Sequence, residues 1–94
     1  MPFFVYIIIC DGGNYYTGYT KNLENRLRLH FEGRGARYTR IFKPNQLVYS
    51  EEFESRSEAM RREQAIKRLS HIQKENLIAT KKTSRFRSGN RDSS

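Results

Sequence analysis

An apolar run followed by a polar turn predicts a β-hairpin at the start of the chain. Residues 3–10 are almost all aromatic or β-branched, which predicts a strand that is buried on both faces and central in a sheet. Residues 11–14 (DGGN) all tolerate turn geometry. A second strand is predicted over residues 15–19, and Gly18 inside it indicates that another group approaches the backbone closely.

The rest of the chain predicts one more strand and three helices. Apolar residues spaced four apart predict a helix over residues 22–33, and the basic residues 34–45 predict a long connection. Residues 46–53 predict a third strand. Capping boxes at residues 55–58 and 70–73 predict helices that continue to about residue 69 and about residue 79. The predicted fold class is α+β, a three-stranded antiparallel sheet flanked by helices in the order β-β-α-β-α-α.

Length and charge narrow the class of protein. The 94 residues suffice for one domain, which we place at residues 1–80. Residues 81–94 carry five basic residues against one acidic residue, and we expect them to form a disordered basic tail. The net charge of +8 indicates an anionic partner, most simply nucleic acid, although a ribosome or an anionic membrane would fit the same charge.

The cysteine count and the hydropathy pattern exclude several classes of protein. One cysteine rules out a disulfide framework and a multi-cysteine zinc site. The apolar run at residues 3–10 is too short to span a bilayer, and it lacks the preceding basic residues of a signal peptide. We therefore expect a cytoplasmic protein with no membrane partner.

Glu63 is the first candidate for a functional residue. At about 100° per residue, Ala59, Glu63 and Ile66 share one narrow arc of their helix, so the carboxylate is predicted to face inward. An ionised group there is costly unless it is paired or bound to a metal. A salt bridge to Arg26, or a rotated helix that leaves Glu63 at the rim, would explain the same pattern.

Two further candidate groups lie earlier in the chain. Arg26 and His30 are four residues apart and share a helix face at the flank of its apolar stripe, where they could line a cleft or sit at the rim. Tyr6 and Tyr16 belong to the two strands of the hairpin. They share a sheet face only if the loop between them carries an extra residue near its glycines, which the sequence leaves open.

Basic residues with an interleaved tyrosine follow the first helix. Arg34, Arg37 and Arg40 surround Tyr38 in this segment, a combination that suits a nucleic-acid backbone with a stacked base. A solvated charged loop is the other interpretation.

Taken in order, these residues resemble the GIY-YIG nuclease superfamily. Residues 4–6 (FVY) stand for its first motif and residues 16–18 (YTG) for its second. Residues 21–26 (KNLENR) look like the segment that carries the family's catalytic arginine, and Glu63 falls at its metal-binding glutamate. Residues 33–40 look like the small stand-alone bacterial branch, whose members are mostly uncharacterised.

The resemblance implies a metal-dependent endonuclease that hydrolyses phosphodiester bonds in DNA, with RNA not excluded, and that is linked to repair or recombination. One Mg²⁺ or Mn²⁺ ion would be bound by Glu63, and no small-molecule cofactor is implied. We expect a monomer that could receive specificity from a protein partner. The implied catalytic residues are Tyr6, Tyr16, Arg26 and His30, and the implied nucleic-acid-binding residues are Arg34, Arg37, Arg40 and Lys67.

One departure from the family pattern bears on activity. Tyr19 stands where the excision-repair branch has a lysine beside its tyrosine, so His30 would have to act as the base or proton relay. The alternative function is a catalytically inactive nucleic-acid-binding module that uses the same cleft. A protein-interaction adaptor is a third class.

Overall fold

The protein folds around a three-stranded antiparallel sheet, as predicted. The computed structural model describes residues 2–89, with side chains to residue 81. The strand order is β2-β1-β3, so the doubly apolar first strand is central. The strands are β1 (Phe3–Cys10), β2 (Tyr15–Thr20) and β3 (Pro44–Phe53).

Four helices flank the sheet, one more than the sequence predicted. The helices are α1 (Leu23–Phe31), α2 (Arg37–Ile41), α3 (Arg56–Lys67) and α4 (His71–Gly89). The additional helix, α2, is a single turn inside the predicted connection, too short to show an apolar period. None of the helices in the described part of the chain has the length and hydropathy needed to cross a bilayer.

Polar side chains at both predicted capping boxes fix where the last two helices begin. Ser55 and Glu58 form the complete reciprocal box of α3. Ser70 accepts from the backbone of Gln73, whose side chain accepts from the Ser70 backbone in return. Helix α4 continues past its predicted end near residue 79. The disordered tail over residues 81–94 stays a prediction, and its residues 90–94 lie outside the described residues.

The hairpin loop has three residues, and its two glycines determine the pairing of the strands. The Cys10 backbone N–H donates to the Asn14 carbonyl at 2.7 Å, which closes the loop around Asp11–Gly13. Gly12 and Gly13 have φ angles of 81° and 79°, a left-handed conformation that other residues adopt only at a cost.

This loop places the two motif tyrosines on one face of the sheet. Tyr6 pairs with Gly18 and Ile8 pairs with Tyr16, so Tyr6 and Tyr16 are diagonal neighbours across the two strands. The open question about the hairpin is thereby answered in favour of the longer loop.

The sheet separates two apolar clusters. Val5 and Ile7 pack with residues of α3 and α4, among them Ala59 and Ile66. Tyr6, Ile8 and Cys10 face the other way and pack with residues of α1, α2 and the neighbouring strands. The partly buried residues that pack against this second cluster are Tyr16, Leu23, Leu27, Tyr38 and Leu47.

The first testable consequence concerns Thr17. It is 4% exposed, and its hydroxyl has no hydrogen-bond partner among the described residues. We expect Thr17→Val to raise the free energy of unfolding by about 1 kcal/mol, because an unsatisfied buried hydroxyl is replaced by a methyl group. Urea denaturation followed by circular dichroism measures the change.

Thr20→Val on the same strand is the matched control. The Thr20 hydroxyl accepts from the Asn22 backbone at 3.1 Å, so this variant should lose stability. A loss of stability in Thr17→Val as well would contradict the assignment of an unsatisfied hydroxyl.

Candidate active site

A buried hydrogen bond joins the central strand to the first helix. Tyr6 Oη lies 2.8 Å from His30 Nε2, and the two residues are 1% and 0% exposed. Tyr6 comes from β1 and His30 from the last turn of α1. The helical wheel placed His30 at the flank of the apolar stripe, whereas the structure places its ring in the core.

The hydrogen bonds around the imidazole have one consistent direction. The Thr39 hydroxyl donates to the Ala36 carbonyl at 2.9 Å, because a carbonyl oxygen only accepts. Its oxygen is therefore free to accept from His30 Nδ1–H, 2.8 Å away. A neutral imidazole with its proton on Nδ1 accepts at Nε2. The Tyr6 hydroxyl is therefore the hydrogen-bond donor and His30 Nε2 the acceptor.

Burial favours the neutral forms of both ring systems. It lowers the pKa of His30 below its ordinary value, and the positive charge of Arg26 lowers it further. Burial raises the pKa of Tyr6 well above its usual range, and the neighbouring Tyr16 raises it further. Arg26 acts in the opposite direction on Tyr6. The resting site therefore holds a neutral tyrosine bonded to a neutral histidine.

Two glycines let the backbone approach these rings. A Cβ atom on Gly18 would lie 2.7 Å from Tyr6 Oη, and one on Gly35 would overlap the imidazole of His30. Both positions therefore exclude any side chain unless a ring moves. For Gly18 this confirms the close approach that the sequence indicated.

Tyr16 completes an aromatic cluster over the sheet. Its ring centroid lies 6.2 Å from that of Tyr6 and 5.1 Å from that of His30. Tyr16 is half-buried, whereas Tyr6 is enclosed, so Tyr16 is the motif tyrosine that solvent reaches.

Arg26 lies between this cluster and a cationic groove. It is half-buried and close enough to shift the pKa values of both Tyr6 and His30. It also lines a groove of about 500 Å³ that contains no acidic side chain. The residues that line the groove are Phe3, Tyr19, Thr20, Lys21, Arg26 and Arg56.

Glu63 is buried on α3, as the helical arc predicted. It is 8% exposed, and its Oε2 atom lies 3.3 Å from Lys67 Nζ. The salt bridge to Arg26 that the sequence left open is absent among the described residues. The Glu63 carboxylate nevertheless raises the pKa of Tyr6, so its charge reaches the tyrosine cluster.

The donors at Glu63 suit a hydrated divalent cation. In the part of the chain that the structure describes, no group of three or more His, Cys, Asp or Glu side chains could hold a metal. Mg²⁺ keeps several waters and commonly binds through one or two carboxylates together with substrate phosphate. Glu63 fits that mode and does not fit an all-protein cage.

The predicted nucleic-acid-binding residues lie outside the tyrosine cluster. Arg34 is exposed and lies 3.3 Å from the Glu32 carboxylate. Arg37 and Arg40 are exposed on α2. Lys67 is paired with Glu63 and is therefore next to the proposed metal ligand instead of on a separate surface.

Sequence reasoning missed several residues that the structure brings to the site. Thr39 and Gly35 hold the His30 ring, and Lys21 and Arg56 share the groove with Arg26. The proximity of Gly35 and Thr39 to His30 gave no periodic signal, because they lie in an irregular segment and a one-turn helix. Lys21 was part of the quoted motif and could have been identified from its charge.

The comparisons with known proteins agree on one family. The model of the GIY-YIG catalytic domain matches residues 2–76. A UPF0213 protein of Staphylococcus saprophyticus is 47% identical over 76 residues, which cover 81% of this chain and 93% of that protein. A UPF0213 protein of Halobacterium salinarum is 53% identical over 74 residues, 79% of this chain and 96% of its own.

Solved structures give the same result. The solution structure of a UPF0213 protein of Bacillus halodurans is 44% identical, with a TM-score of 0.57 and 86% of each chain covered. That of a protein of Enterococcus faecalis is 39% identical, with a TM-score of 0.59 and 85% of each chain covered. None of these names states an activity.

The buried histidine gives the second testable prediction. The imidazole of His30 should titrate below its ordinary pKa of 6.5. Because the fold favours the neutral form, the stability that His30 contributes is complete above pH 6.5 and is lost as the pH falls toward the lower folded value. An NMR titration of the imidazole protons measures the pKa.

His71→Gln makes the titration unambiguous, because the chain has only two histidines. The remaining signal then belongs to His30. Titration of that signal at or above pH 6.5 would mean that the ring is not held as a buried neutral acceptor.

Proposed function

The chain belongs to the GIY-YIG catalytic domain family, and from this membership we propose that it is a metal-dependent endonuclease that hydrolyses phosphodiester bonds in DNA. The observation that carries the proposal is the directed bond from Tyr6 to a neutral, buried His30 beside Arg26. Structure-selective cutting linked to repair or recombination is part of the same proposal.

Arg26 would bind the phosphoryl group under attack. The phosphate gathers negative charge at the transition state, and a fixed cation in a partly dry site offsets that charge more effectively than water does. Lys21 and Arg56 line the same groove as Arg26, and no acidic side chain of the described residues lines it. They would therefore bind neighbouring backbone phosphates.

Glu63 would hold the divalent ion. When bound there, Mg²⁺ or Mn²⁺ would supply charge stabilisation at the leaving oxygen. The carboxylate is now neutralised by Lys67, so binding of a cation at Oε2 would release the lysine. A released Lys67 would then be available to contact the DNA backbone, the role that the family resemblance implies for it.

The tyrosines and His30 would move the proton of the attacking water. Tyr16 is the motif tyrosine that solvent reaches, and it approaches Tyr6 closely enough to raise its pKa. Tyr6 already donates to His30 Nε2, so that nitrogen would take the Tyr6 proton when Tyr6 receives one from Tyr16. His30 would thus take the role of the lysine that the excision-repair branch has at the position of Tyr19.

The third prediction concerns the rate of DNA cleavage. The assay uses labelled single-stranded, duplex, flapped and nicked DNA with Mg²⁺, Mn²⁺ or EDTA. We expect metal-dependent cutting that falls by about 10²–10³-fold in Arg26→Ala and in Glu63→Gln, because each removes a charge that acts in the transition state. DNA affinity in EDTA should be retained by Glu63→Gln.

Arg28→Ala and Glu52→Gln are the matched controls. Arg28 lies on the same helix as Arg26 but pairs with Glu32 at the surface, and Glu52 is an exposed carboxylate on β3. Both variants should cut at the wild-type rate. Binding without cutting by the wild type, with tighter binding by Glu63→Gln, would favour the inactive binding module instead.

The fourth prediction concerns Lys67→Met. Removing the competing ammonium group should lower the Mg²⁺ concentration that gives half the maximal rate, and loss of a backbone contact should weaken DNA binding. Both changes are expected to be about a few-fold, because the Lys67 side chain is 49% exposed and solvent screens its charge. Metal titrations at saturating DNA and anisotropy in EDTA separate the two effects.

Lys74→Met on α4 is the control for the loss of a lysine. If both variants weaken DNA binding equally and neither changes the metal requirement, Lys67 has no special relation to Glu63.

A further inference from the structure

A row of aromatic rings leads from the buried tyrosine to the surface. The centroids of Tyr6 and Tyr16 lie 6.2 Å apart, and those of Tyr16 and Tyr38 lie 5.7 Å apart. Tyr38 and Phe42 follow at 4.9 Å. Exposure rises along the row from 1% at Tyr6 to 39% at Phe42, so the outer end of the row is open to a ligand.

The outer end of this row leaves apolar surface in water. Ile41, the last residue of the one-turn helix α2, is 62% exposed, and Phe42, which caps that helix, is 39% exposed. Exposed large apolar groups that are continuous with a functional site commonly mark a surface that something covers. The continuity here runs through Tyr16, one of the proposed catalytic residues.

The charge around the same segment indicates what covers it. Arg37, Arg40 and Lys43 are exposed beside the rings, and no acidic residue occurs from residue 33 to residue 50. Glu32 lines the same pocket as Arg40 and Lys43, but its carboxylate is paired with Arg28 and Arg34. Planar rings beside an excess of exposed cations match the chemistry of single-stranded nucleic acid, in which bases stack and phosphates need positive charge.

We propose that Tyr38 and Phe42 form a stacking platform for unpaired bases of a single-stranded DNA segment, with Arg37 and Arg40 on its backbone. The position of the scissile phosphate beside Tyr16 rests on the proposed nuclease function. Bases inside a duplex are covered by their neighbours, so this platform selects DNA that is single-stranded on this side of the cut.

The platform and the cationic groove lie toward opposite ends of the sheet. The Asp11 backbone N–H donates to the Lys43 carbonyl at 2.8 Å, which places the segment after Phe42 beside the end of β1. Phe3, at the beginning of β1, lines the groove that holds Lys21. A strand of DNA therefore crosses the tyrosine cluster between the two, unpaired at the Phe42 end.

Phe42→Trp tests the platform directly. The chain has no tryptophan, so this variant carries a single indole that reports on stacking. In EDTA, an unlabelled twelve-nucleotide oligo-dT should quench the indole emission, and a blunt duplex of the same length should quench it little. Equal quenching by both, or quenching by neither, would overturn the proposal.

Phe42→Ala supplies a second measurement that does not depend on cleavage. Loss of one stacked base should weaken binding of labelled oligo-dT by about tenfold and leave duplex binding nearly unchanged. Ile41→Ala is the matched control, since Ile41 is more exposed than Phe42 but lies outside the ring row. Equal losses in Phe42→Ala and Ile41→Ala would indicate general apolar contact and contradict stacking.

The platform and the nuclease proposal fail in different ways. Quenching of the Phe42→Trp indole by oligo-dT, with no DNA cutting by the wild type, would support the platform and refute the nuclease. Cutting by Phe42→Trp with no quenching by any oligonucleotide would refute the platform and leave the nuclease in place. A thermal melt of each variant confirms that it is folded.

Discussion

The hydrogen bond between Tyr6 and His30 is the interaction on which the site depends. It lies in the interior between β1 and α1, where a polar group without its partner would cost about 1–3 kcal/mol. Gly18 and Gly35 leave room for the two rings, and Thr39 fixes which nitrogen carries the proton. The fold is therefore arranged to keep one imidazole nitrogen available as an acceptor.

Charges of opposite sign are kept apart around this neutral pair. Arg26 and Glu63 are both within electrostatic reach of Tyr6, yet the structure pairs Glu63 with Lys67 and leaves Arg26 facing an acid-free groove. An arginine that is not neutralised by a protein carboxylate is available to a phosphate. A carboxylate that contacts, among the described residues, only exposed groups, the Lys67 ammonium and the Gln64 amide, is available to a cation. This separation supports the proposed phosphodiesterase function.

Much of the fold was predictable because its signals are local. The doubly apolar run of β1 and the capping boxes at Ser55 and Ser70 predicted a central strand and two helix starts that the structure confirms. The shared face of Tyr6 and Tyr16 was not predictable, since it depends on the backbone conformation at Gly12 and Gly13. The burial of His30 was also missed, because its partners are far from it along the chain or lie in a one-turn helix.

The direction of the hydrogen bonds at His30 couples the stability of the fold in acid to the protonation state of the candidate site. A proton added to Nε2 would turn the acceptor into a second donor, and Tyr6 would have to turn its own proton toward another group inside the core. The same event would remove the hydrogen-bond acceptor and weaken the contact between β1 and α1. The protonation state of His30 and the stability of the fold in acid are thus coupled through this one hydrogen bond.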